Sequence, residues 1–112
     1  MARREVTAKD GEQNSKREEL SIRDGLTGLL NRRAMSEELD EVHELTRRYD
    51  NEYSIILLDI DHFKNYNDRL GHVMGDDAIR SIARLLKRSV RTSDIVYRYG
   101  GEEFLILSLI HI

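Results

Sequence analysis

Residues 98–104 read Arg-Tyr-Gly-Gly-Glu-Glu-Phe, two glycines and two carboxylates set between two short apolar runs. The runs are Ile95-Val96-Tyr97 and Phe104-Leu105-Ile106-Leu107. β-Branched and aromatic residues on either side of a glycine pair predict a β-hairpin with its tip at the glycines. Glycine serves where the chain takes φ > 0 or where a ligand approaches the backbone closely. Carboxylates at such a tip are hard oxygen donors of the kind Mg²⁺ prefers. An acidic surface turn is the competing reading of Gly-Gly-Glu-Glu taken alone.

A second acidic cluster shifts the balance. The stretch Tyr53-Ser54-Ile55-Ile56-Leu57-Leu58 runs into Asp59-Ile60-Asp61. Its continuous apolar run predicts a central strand covered on both faces. Residues i and i+2 of a strand share a face. Both aspartates therefore leave the strand end on one side, where sheet proteins usually bind ligands. Two aspartates closing a strand, with two glutamates on a hairpin, could hold divalent ions for phosphoryl or nucleotidyl transfer. Such ions neutralise a triphosphate, activate a hydroxyl and stabilise a leaving pyrophosphate. Asp is also a good N-cap, so capping of the next helix is the alternative for this pair.

The elements that must position these groups follow from periodicity. Residues 1–19 are almost entirely polar, with charges of both signs, too little apolar surface to order themselves. Residues 1–23 are therefore read as a polar arm or helical linker, and 24–112 as the domain. Asn31 can cap a helix over about 31–49, with Met35, Leu39, Val42, Leu45 and Tyr49 on one stripe. A strand over 53–59 follows, then a short helix over 63–70. Gly71 and Gly75 predict a loop, after which Asp76 caps a longer helix carrying Ile79, Ile82, Ala83, Leu86 and Val90 on one face. Helix, strand, helix, hairpin suits an α/β sheet of the ferredoxin-like or polymerase-palm type with flanking helices.

Composition narrows the function classes. The 112 residues allow one domain. They carry 18 basic and 21 acidic side chains, a net charge of −3, which argues against a surface that coats nucleic acid. There is no cysteine, hence no disulfide framework and no thiolate zinc site. No apolar run approaches the roughly 20 residues needed to span a bilayer, and the N-terminus lacks a signal-peptide pattern. No membrane segment is expected in this chain, and cytoplasm is the default compartment.

Three separated motifs together resemble the GGDEF family, the diguanylate cyclases. They are Asp24-Gly25-Leu26-Thr27-Gly28-Leu29-Leu30-Asn31-Arg32-Arg33, then Asp59-Ile60-Asp61-His62-Phe63-Lys64 with Asn67-Asp68, Gly71-His72 and Gly75-Asp76, then Arg98 to Phe104. The resemblance covers about residues 20–107. It implies condensation of two GTP into cyclic di-GMP and two pyrophosphates by a homodimer that needs Mg²⁺ or Mn²⁺. It implies that Asp59, Glu102 and the Ile60 carbonyl bind metal, and that Glu103 is the catalytic base or a second metal ligand. His62, Phe63 and Lys64 would hold the triphosphate, through main-chain amides and the Lys64 charge. Asn67 and Asp76 match the family's guanine-reading pair. Arg91 and Asp94 match its inhibitory product site, against a surface ion pair as the plainer alternative. Asp61 is read as structural, orienting Lys64 or capping the short helix, and Arg98 as steadying the acidic tip. The family continues beyond Leu107 with a further helix, strands and a basic segment. The sheet is thus expected to be incomplete at the C-terminus, with 108–112 an interrupted tail. An upstream sensory domain in the parent protein is a further implication. The alternative function is a non-catalytic module that binds cyclic di-GMP at Arg91 and Asp94.

Overall fold

The computed structural model describes residues 22–111. Residues 1–21 of the predicted arm and Ile112 lie outside them. The element order is β1 (Leu30–Asn31), α1 (Arg32–Arg48), β2 (Asn51–Asp59), α2 (Phe63–Leu70), α3 (His72–Ser89), β3 (Ile95–Arg98) and β4 (Glu103–His111). The strands form one sheet in the order β1-β3-β4-β2. β1 runs parallel to β3, whereas β4 is antiparallel to both β3 and β2. β2 and β3 are therefore parallel with β4 inserted between them, a split βαβ unit. The expected mixed α/β fold is the one observed.

Strand alternation builds two cores, one on each face of the sheet. Val96, Phe104 and Ile106 point to one face and pack with Leu29, Ile79 and Ala83, so α3 covers that side. Tyr97, Leu105 and Leu107 point to the other and pack with Ala34 and Met35 of α1. Phe104 and Tyr97 have no exposed surface. Full burial of one such side chain contributes about 1.5–3 kcal/mol, which fixes the hairpin between the two helices.

Four expectations need correction. First, β2 is an edge strand among the described residues, not a covered central one. Ile55, Ile56 and Leu57 are 41%, 54% and 56% exposed. An apolar run marks a strand with two apolar faces, but does not say how much of each is covered. Second, the stripe on α1 leaves the core before the helix ends: Met35 is buried, whereas Leu45 and Tyr49 are exposed. Third, no loop separates α2 from α3, and Asp76 caps nothing. Gly71 alone turns the chain, at φ 90°, and α3 begins at His72. Gly75 is buried within that helix, because α2 packs against it. Fourth, residues 108–111 are no loose tail. Ser108 pairs with Ser54 and Ile110 with Glu52, continuing β4 along the whole of β2.

The remaining boundaries follow local chemistry. The Asn31 side chain accepts a hydrogen bond from the Ala34 amide and caps α1 as expected. The N-cap of α2 is His62, in the left-handed region at φ 56° and with no side-chain cap bond. Asp61 therefore does not cap this helix. A non-glycine residue in that region carries on the order of 1 kcal/mol of strain, stored here at the exit of the acidic strand.

Candidate functional site

The β2–β4 register assembles the acidic centre. Asp59 is the direct partner of Glu103, and the Ile60 amide donates to the Glu102 carbonyl at 3.0 Å. Asp59, Ile60, Glu102 and Glu103 are thus joined at one end of the sheet. Like charges directly opposite each other on paired strands are destabilising. Among the described residues none of Asp59, Glu102 and Glu103 is in an ion pair. A divalent cation would relieve that repulsion. Among the described residues no three acidic or histidine side chains converge as a ready-made cage. Mg²⁺ is commonly held by one or two carboxylates together with substrate phosphates.

The hairpin tip is built differently from the expectation. Neither Gly100 nor Gly101 takes a positive φ. Gly100 is instead a matter of space: a Cβ there would collide with the Glu103 carboxylate, which folds back over it. The Glu103 carbonyl accepts from the Tyr99 amide at 2.8 Å and the Gly100 amide at 3.2 Å. Both ends of Glu103 are thus set by the turn.

Arg98 leaves the other side of the same turn. Its Nη2 donates to the Gly101 carbonyl at 2.8 Å, and its Nη1 reaches both Asp24 carboxylate oxygens, at 2.9 and 3.1 Å. It reaches the tip through a backbone carbonyl. Asp24 Oδ2 also accepts from the Thr27 amide and hydroxyl, at 2.8 and 2.7 Å. Partial burial pushes the Asp24 carboxyl up, but Thr27 and the Arg98 guanidinium outweigh it and hold it below the ordinary carboxylate range. The sequence reading quoted Asp24 without assigning it this role. The Asp-x-x-Thr spacing was a usable signal for the local turn; nothing local announced Arg98.

On the α1 side, the buried Tyr97 hydroxyl donates to Glu38 at 2.8 Å. Burial first, then the hydrogen bond to Glu38 and its charge, raise the Tyr97 phenol above its usual value. The Arg32 guanidinium lies 4.5 Å over the Tyr99 ring.

The proposed nucleotide residues fall on α2 and α3. His62 and Lys64 are exposed at the start of α2, while Phe63 packs against the core. Asn67 on α2 faces Gly75 on α3, and Asp76, the next residue of α3, is exposed. Asp77 pairs with Arg80 at 2.7 Å.

Arg91 and Asp94 are engaged with each other. The Arg91 amide donates to Asp94 Oδ2 at 3.0 Å, and its Nη2 reaches Asp94 Oδ1 at 3.3 Å and Ser108 Oγ at 2.6 Å. The Ser108 hydroxyl first, then Arg91, hold the Asp94 carboxyl below its ordinary value. Ser108 is five residues along β4 from Glu103, roughly 17 Å away at strand rise, so this pair stands apart from the acidic centre.

Known proteins resemble this chain in sequence and fold. The profile of the family described as "Diguanylate cyclase, GGDEF domain" matches residues 21–109. Diguanylate cyclase DgcP of Pseudomonas aeruginosa is 45% identical over 89 residues, 78% of this chain and 13% of that protein. Response regulator PleD of Caulobacter vibrioides is 44% identical over 89 residues, 80% of this chain and 20% of that protein. The crystal structure of the coiled coil and GGDEF domain of DgcB from Caulobacter crescentus, in complex with c-di-GMP, superposes with a TM-score of 0.86 at 33% identity. It covers 93% of this chain and 55% of that one. The chain thus spans a small part of these curated relatives and about half of the solved chain. The paired acidic strand ends, the two-helix connection and the match over 21–109 agree: this chain belongs to the diguanylate cyclase GGDEF-domain family.

Proposed function

We propose that this chain carries the metal- and nucleotide-binding part of a diguanylate cyclase, joining two GTP into cyclic di-GMP with release of two pyrophosphates. The observation that carries the reading is the direct pairing of Asp59 with Glu103 at the strand ends. Asp59, Glu102 and the Ile60 carbonyl would hold Mg²⁺ or Mn²⁺. Bound there, the metal would supply charge neutralisation at the α-phosphate and a lower pKa for the ribose hydroxyl. Glu103, pinned by the turn, would accept the proton of the attacking 3′-hydroxyl. The start of α2 has no side-chain cap, so its amides are open to phosphate oxygens, with Lys64 adding charge. Asp76 can accept from the guanine N1–H and amino group, and Asn67 can donate to O6 or N7. Each half-site holds one GTP, so turnover requires two subunits face to face. An upstream sensory domain would set that geometry, in the cytoplasm where GTP is available. Among the described residues, no helix is long and apolar enough to cross a membrane.

The test is chromatography of GTP incubated with the chain and Mg²⁺, beside Glu103→Gln. Cyclic di-GMP from the unmodified chain alone supports the reading. Equal product from both chains rejects the role of Glu103. A second reading is binding of cyclic di-GMP at Arg91 and Asp94, favoured by the preformed Arg91–Asp94–Ser108 cluster. Arg91→Ala would abolish that binding and leave turnover intact.

A further inference from the structure

Asn67 sits in an unusual seat. Its Oδ1 is buried without a hydrogen-bond partner, and its Nδ2 lies 2.9 Å from His72 Nδ1. A Cβ on Gly75 would occupy the place of Oδ1 and approach Phe63 Cζ to 3.3 Å. The amide could in principle be turned over. That would bury two N–H donors against Gly75 in place of one carbonyl, and an orphaned buried N–H is the rarer and costlier case. The favoured arrangement has Nδ2 donating to His72 Nδ1, with the imidazole proton on Nε2. One Nδ2 hydrogen then remains, while Oδ1 is sealed.

We propose that His72 and Gly75 are positioning residues that turn Asn67 into a donor-only reader of the nucleotide base. This rests on the assignment of Asn67 to the base under the proposed function. A donor-only group facing the 6-position of the base accepts a 6-oxopurine, which presents O6 there, whereas N7 is an acceptor in both purines. It disfavours adenine, whose 6-amino group is itself a donor. Gly75 is required because any side chain there displaces the amide, and His72 because it takes up one of the two donors and sets the direction of the other.

The test has two readouts on the whole chain. In nitrogen-15 spectra, the two Nδ2 protons of Asn67 should be strongly split, with a scalar coupling to His72 Nδ1 across the hydrogen bond. His72→Phe and Gly75→Ala should remove the coupling and reduce the splitting to that of an unbonded carboxamide, and His72→Gln, which restores an acceptor, should keep the larger splitting. Gly75→Ala should still fold, since the displaced atom is the free end of a side chain and Ala favours a helix interior. In the second readout, binding of GTP and ATP is compared in the presence of Mg²⁺. His72→Phe and Gly75→Ala should each lower the GTP-over-ATP preference about tenfold, as expected for one lost hydrogen bond at a base, and as far as Asn67→Ala does. A preference that falls in Asn67→Ala but not in His72→Phe or Gly75→Ala overturns the positioning role. Absence of any GTP preference, with Asn67→Ala indistinguishable from the parent chain, overturns the base assignment and the inference with it.

Discussion

Arg98 binds Asp24 across 74 residues of sequence, and the same guanidinium holds the Gly101 carbonyl of the acidic turn. The side chains are only 17% and 18% exposed. Arg98→Ala should therefore destabilise the chain by about 1.5–3 kcal/mol, the range for hydrogen bonds to charged groups, read by urea unfolding. A loss below 0.5 kcal/mol, a threshold of the order seen for neutral surface changes, would count against it. Acid should act through the same pair. Asp24 has a folded pKa below its ordinary 3.8, so its stabilisation is complete above that value and is lost as pH falls through the folded pKa. Asp24→Asn should remove this part of the acid dependence.

Tyr97 gives a prediction at the other end of the pH scale. Its phenol is raised by burial and by Glu38. The unfolded phenol titrates near 10, so stability should decline as pH rises beyond it while the folded phenol keeps its proton. Ultraviolet titration should show one of the five tyrosines ionising only with unfolding. Tyr97→Phe should cost about 1 kcal/mol at neutral pH and abolish the delayed phase.

Metal should register at the strand ends. Mn²⁺ added to the labelled chain is expected to broaden the amide signals of Asp59, Ile60, Glu102 and Glu103 first, and Asp59→Asn to abolish that selectivity. Uniform broadening over all acidic residues would refute a defined site. Gly100→Ala, which displaces the Glu103 carboxylate, should weaken the effect without unfolding the hairpin, because Gly100 has no positive φ.

The outer edge of β2 should make the chain self-associate. Ile56 and Leu57 are more than half exposed, and the chain has no proline to interrupt the strand. Open apolar edges of this kind template pairing with another chain. Sedimentation should show concentration-dependent association that Ile56→Lys suppresses. Identical behaviour of the two chains would argue against edge pairing.

Periodicity and turn chemistry made much of this architecture legible. The stripe from Met35 to Val42, the cap at Asn31 and the alternation about Val96 and Phe104 are local patterns, and each marks its element. Asp59 and Glu102-Glu103 could be singled out because carboxylates at strand ends carry their own signal. Contacts made at a distance were hidden. The reach of Arg98 to Asp24, the lone Tyr97–Glu38 bond and the seat of Asn67 on Gly75 depend on packing that no short window contains. Gly75 misled for a related reason. It reads as a loop residue until the neighbouring helix that requires its missing side chain is in place.

β2 is held by nine consecutive pairings to β4 and by no other strand among the described residues. Like β1 at the opposite edge, the strand that carries Asp59 consequently has a single line of protection against solvent hydrogen exchange, and its opening would carry Asp59 away from Glu103. A cation held by Asp59 of β2 and Glu102 of the hairpin would act as a latch on that fluctuation, so metal affinity and the exchange rate of β2 would be two measures of one equilibrium.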